Sequence, residues 1–137
     1  MDKERILSKF RELEDYLENL ESIKPQEFEE YENSVRDKNA CERLLQISIE
    51  SIIDICNIIF SSLPLGMPSD EDDVIKKLEM KKVISPEMKK TLTEMKGMRN
   101  ILVHRYGEID NERIFEAITD KLDDFNKFKK EILKFMR

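Results

Sequence analysis

The sequence has no tryptophan, three glycines, four prolines, two cysteines and a single histidine in 137 residues. So few turn formers leave little to punctuate the many short strands of a sandwich or barrel. One histidine and no cysteine pair at ligand spacing argue against a zinc site. Gly66, Gly97 and Gly107 are isolated, so no glycine-rich loop precedes a helix to cradle phosphates. A serine or cysteine nucleophile would have to recruit that same histidine. With no secretory signal at the start and no apolar run near the roughly 20 residues that span a bilayer, a soluble protein of the reducing cytoplasm is expected, with no membrane contact.

Charged residues make up 39% of the chain and hydrophobic residues another 39%, a balance that favours long, charge-laced helices. The length suits one domain over residues 1–137, because a chain of this size buries one continuous core. The formal charge of −6 argues against non-specific duplex binding, which depends on many phosphate-neutralising cations, yet leaves room for a local basic site. Cys41 and Cys56 fall on one expected helix about 22 Å apart, too far for an internal disulfide. Both thiols read as packing residues.

Ile6, Phe10, Leu13, Leu17 and Leu20 recur at spacings of three and four, which predicts an amphipathic helix ending near Ile23 before Pro25. A short helical lead-in from Pro25 to Tyr31 follows. From about Val35 to Phe60, leucines and isoleucines cover most directions around the axis, as on a central helix buried on several sides. Pro64, Gly66 and Pro68 break the chain, and Ser69 is the expected cap of a short helix running to about Val83. There Asp70, Glu71, Asp72 and Asp73 face the positive helix end. Ser85-Pro86-Glu87 starts the next helix, which stops near Gly107. Asp110 caps a last helix whose apolar face passes through Ile118, Leu122, Phe125, Lys129, Ile132 and Met136. The expected class is all-α, an antiparallel bundle of about four to five helices.

The lone histidine stands in Arg99-Asn100-Ile101-Leu102-Val103-His104-Arg105-Tyr106. This Arg-x4-His-x-Tyr string, placed on the penultimate helix after a long central helix carrying Arg43, Glu50 and Asp54, resembles the HepT-like branch of the HEPN superfamily. The resemblance implies a homodimeric, metal-independent endoribonuclease without cofactor, in which two Arg-x4-His segments line a shared cleft. It implies that His104 acts as acid or base on the ribose 2′-hydroxyl or the leaving oxygen, that Arg99 stabilises charge on the phosphate, and that the products carry cyclic phosphate ends. Tyr106 matches a tyrosine that receives AMP from a small nucleotidyltransferase antitoxin. The chemistry stands on its own terms too: imidazole transfers protons near neutral pH, and guanidinium offers fork-shaped donors to phosphate. Asn100 offers a neutral hydrogen bond, to phosphate or to the walls of the cleft.

Helical geometry adds a restriction. At 100° per residue, Met88, Leu92, Met95, Arg99, Leu102 and Tyr106 fall within about 40° of one line, whereas His104 lies about 140° from Arg99. For both to serve one phosphate, either the helix departs from ideal before His104, an option that Gly107 favours, or each histidine works with the arginine of a second subunit. An arginine on an apolar stripe needs compensation. Arg43, Glu50, Asp54 and Asn57 lie within about 40° of one line on the central helix, so Glu50 and Asp54 are candidates to orient Arg99.

Each feature also has a plainer meaning. The Arg43-Glu50-Asp54-Asn57 stripe is equally a solvated helix face, and contact with Arg99 separates the two. Lys89, Lys90, Lys96 and Arg105 supply local positive charge for RNA, or are ordinary surface residues. An alternative function is a non-catalytic HEPN module, the nucleotide- or substrate-binding subunit of a nucleotidyltransferase complex. A plain dimerisation adaptor is a third.

Overall fold

Most helix starts follow a short polar side chain that precedes the apolar run. Asp2 accepts from the Arg5 amide at 3.1 Å, Ser34 from Asp37 at 3.2 Å, Ser85 from Met88 at 3.1 Å, and Asp110 from Glu112 and Arg113 at 3.1 and 3.3 Å. Each satisfies amides that the first helical turn leaves without intrahelical partners. The computed structural model describes residues 1–104 and 109–137, and among these the regular structure is entirely helical. The elements are α1 (Lys3–Ile23), α2 (Phe28–Asn33), α3 (Val35–Ser61), α4 (Glu71–Met80), α5 (Pro86–His104), α6 (Asn111–Asp120) and α7 (Asp123–Phe135).

The central helix is α3, which packs against α1, α2, α4, α5 and α6. Its Leu45, Ile49, Ile52, Ile55, Ile59 and Phe60 are buried in one cluster shared with Ile6, Phe10 and Leu13 of α1 and Phe125, Phe128 and Ile132 of α7. Ser48 and Ser51 are buried too, and each returns its hydroxyl to the carbonyl four residues back, at 2.7 and 3.1 Å. Neither serine hydroxyl is therefore left uncompensated in the interior. By length and composition α3 also matches a membrane span, which corrects the expectation that no run approaches one. More than half of that window is buried against the other helices, as a core helix requires.

Among the described residues there are seven helices against the expected four to five, because the lead-in forms a separate α2 and the closing helix divides at Lys121–Leu122. Asp is a poor helix-interior residue but a good first-turn one, and the division places Asp123 and Asp124 in the first turn of α7. It also buries Phe128 fully, where the sequence pattern had put Lys129 on the apolar line. Lys129 instead lies over the Phe10 ring, 5.9 Å from its centroid, and pairs with Glu14 of α1. A second correction concerns α4, whose cap is Asp70 rather than Ser69: Asp70 accepts from the Asp73 amide at 2.8 Å, and Asp73 reaches back to the Ser69 amide at 3.0 Å. This is the reciprocal pattern of a capping box shifted by one residue.

Candidate active site

Two side-chain clamps hold the motif helix in place. At its start, Glu131 of α7 accepts from the Ser85 amide at 2.7 Å and from the Ser85 hydroxyl at 2.9 Å, while that hydroxyl caps Met88. Farther along, the first turn of α4 meets α5 through two ion pairs: Lys96 with Asp72 at 2.5 Å, and Arg99 with Glu71. Residues 96 and 99 are neighbours on one helix face, so two adjacent acids of α4 serve both. Met88, Leu92 and Leu102 are buried along the same stripe.

The Arg99 side chain is only 15% exposed. Its Nη2 donates to Glu71 and its Nε to Asn100 Oδ1, the latter at 2.9 Å. The guanidinium is thus gripped along one edge by a carboxylate and an amide oxygen, an arrangement that offsets its desolvation. Beside Glu71 and Lys96, Ile52, Cys56, Val74, Ile75, Leu92 and Met95 close the junction of α3, α4 and α5 around a gap of only about 10 Å³, which Asn57 also lines.

Within the chain Arg99 pairs with Glu71, not with the expected Glu50 or Asp54. Glu50 accepts from Gln46 at 3.4 Å, Asp54 pairs with Lys9 of α1 at 3.4 Å, and Arg43, Asp54 and Asn57 are exposed. The reason is rotational. Ile49, Ile52, Ile53 and Cys56 of α3 line the gap toward α4 and α5; of the polar stripe Asn57 reaches it, while Arg43, Glu50 and Asp54 lie roughly 100° or more around the axis. Within one chain the stripe is a solvated face.

His104 is exposed in the last described turn of α5, which remains α-helical up to it. Up to His104, then, the described part of α5 is unbroken. Tyr106, Arg105 and the expected stop near Gly107 lie outside the described residues. Of the lysines considered for RNA, Lys96 is engaged by Asp72, and Lys90 is exposed.

Glu71 is the site residue that sequence reasoning missed. It was absorbed into an acidic cluster explained by the helix dipole. The available signal was the pairing of two successive acids with a Lys-x2-Arg spacing on a neighbouring helix. Among the described residues no group of three or more His, Cys, Asp or Glu side chains is placed to hold a metal ion. Both thiols are buried, and burial pushes Cys56 up to about 12 and Cys41 up to about 11, Asp37 and Glu42 adding to the latter.

The chain is 29% identical over 121 residues to a tRNA nuclease HepT of Aphanizomenon flos-aquae, covering 88% of this chain and 82% of that one. It is 33% identical over 84 residues to an mRNA nuclease HepT of Shewanella oneidensis, covering 61% and 63%. Its fold is similar to that of a tri-AMPylated Shewanella oneidensis HEPN toxin solved in complex with an MNT antitoxin. There the TM-score is 0.88 at 24% identity, over 98% of this chain and 99% of the toxin. The model of the ribonuclease HepT-like family matches residues 13–132, and the chain belongs to that family.

Proposed function

We propose that this chain is a metal-independent endoribonuclease toxin that acts as a homodimer in the cytoplasm, and that a nucleotidyltransferase antitoxin neutralises it. The observation that carries the reading is the split between a clamped, mostly buried Arg99 and an exposed His104 on one unbroken helix. Such a helix offers its two reactive groups to different sides, and a symmetric partner supplies the missing half of each site. Arg99 of one subunit then works with His104 of the other.

In this mechanism His104 takes the proton of a ribose 2′-hydroxyl, and the oxygen attacks the adjacent phosphorus. Arg99 stabilises the charge that builds on the phosphoryl oxygens. The bond to the 5′-oxygen breaks, that oxygen takes up a proton, and the products are a 2′,3′-cyclic phosphate and a 5′-hydroxyl end. Asn100 contributes by holding the Arg99 Nε. The acids beside the site are already engaged: Glu71 and Asp72 by cations of α5, Asp73 by Lys77, and Asp70 as a cap. That supports chemistry carried by side chains rather than by a bound cation.

AMP attached to Tyr106, two residues from His104, would obstruct an RNA phosphate by size and by negative charge. The modified state of the Shewanella toxin supports control of this kind. The test is incubation of the purified protein with RNA in EDTA beside a His104→Ala variant. Cleavage by the first and not the second is expected. If neither cleaves while the protein binds a nucleotide or a nucleotidyltransferase tightly, the chain is a binding module instead.

A further inference from the structure

We infer that Glu71, on a different helix from the motif, is a positioning residue for Arg99 in the RNA-cleaving reaction. The inference rests on the function proposed above for Arg99 and adds a group that the motif does not contain. Guanidinium presents its N–H donors in a rigid plane, so fixing one edge fixes the direction of the rest. Asn100 Oδ1 takes Nε and Glu71 Oε1 takes Nη2, which aims the remaining donors, including those of Nη1, away from α4.

The helix that carries Glu71 is held in place, although the Glu71 side chain itself is 39% exposed. Asp70 caps the helix at the preceding position, and Val74, Ile75 and Leu78 bury α4 in the core. Asp72 and Lys96 make a parallel pair alongside. Sites built on packed helices keep their geometry better than sites on loops, and a misplacement of about 1 Å costs a reaction on the order of 10²-fold. The Arg99 side chain is only 15% exposed, which strengthens the attraction relative to a pair in water. Glu71 does not touch the RNA in this account. It acts through Arg99.

The experiment is single-turnover cleavage, at saturating concentration, of the same RNA used in the EDTA assay. It compares wild type, Glu71→Gln, Glu71→Asp, Glu71→Ala, Arg99→Ala and the Glu71→Ala/Arg99→Ala double variant, with RNA affinity and thermal midpoint measured for each. Glu71→Asp keeps the charge but withdraws the carboxylate by one methylene, and Glu71→Gln keeps an acceptor in place. Expected are a fall of about 10- to 100-fold for Glu71→Ala, a clear fall for Glu71→Asp, and recovery to within about 3-fold of wild type for Glu71→Gln. RNA affinity should change by less than about 3-fold, and Glu71→Ala should cost nothing further once Arg99 is gone.

If Glu71→Ala fails to fold, the Gln and Asp variants carry the comparison. Wild-type rates in Glu71→Asp and Glu71→Ala, or an undiminished loss on the Arg99→Ala background, would overturn the inference. Cleavage by Arg99→Ala at the wild-type rate would instead overturn the function proposed for Arg99, and the positioning role with it.

Discussion

Arg99 and His104 leave the same helix on different sides: Arg99 turns toward α4, where Glu71 and Asn100 grip it, and His104 is exposed one turn and a fraction later. Because α5 stays helical up to His104, five residues place the two about 140° apart. That divergence is the ground for the proposed pairing of each histidine with the arginine of a second subunit.

The clamp at the start of α5 is a stability element separate from the chemistry. Glu131→Ala removes the acceptor for both the amide and the hydroxyl of Ser85. A loss of about 1–3 kcal/mol is expected, from charged-acceptor hydrogen bonds left unmade in a partly buried place. Thermal unfolding should show a midpoint several degrees lower, while the cleavage rate per folded molecule stays at the wild-type value.

Burial of the two thiols predicts chemical silence. With Cys56 pushed up to about 12 and Cys41 up to about 11, little thiolate exists near pH 8, and neither sulfur is exposed. A thiol-reactive dye should label the native protein slowly and label both cysteines promptly in denaturant. Rapid native labelling would show that α3 is less enclosed than described.

Asp73 supplies a pH dependence with a definite sign. The Ser69 amide, and then Lys77, hold its carboxyl below the usual carboxylate range. A group whose folded pKa is lowered contributes stability above its unfolded value and loses it as pH falls through the folded one. The α4 start should therefore loosen on acidification below about pH 4. Asp73→Asn, which keeps an acceptor but no charge, should flatten the acid limb of a plot of thermal midpoint against pH.

Much of the fold was legible because its signals are local. Apolar spacing defined α1, the thick isoleucine pattern defined α3, and Ser85-Pro86 gave the α5 start to the residue. The division between α6 and α7 was not legible, because an apolar line runs through both and only packing decides that Phe128 rather than Lys129 goes inside. The partner of Arg99 was hidden for a similar reason. Glu50 and Asp54 have the right chemistry and spacing, but which face of α3 meets α5 is settled by the whole core, and that face carries Ile49 and Ile52. Glu71 lies 28 residues from Arg99 in sequence, and only the docking of α4 on α5 brings it near.

The most direct test of a composite site is complementation between two inactive proteins. Arg99→Ala and His104→Ala variants are denatured together, refolded at equal concentration, and assayed on RNA in EDTA. If Arg99 of one subunit works with His104 of the other, each mixed dimer holds one intact site of two. The mixture should then recover about a quarter of wild-type activity, since half the dimers are mixed. If mixed dimers form but no activity above either variant alone returns, the pairing of Arg99 and His104 across the dimer is wrong.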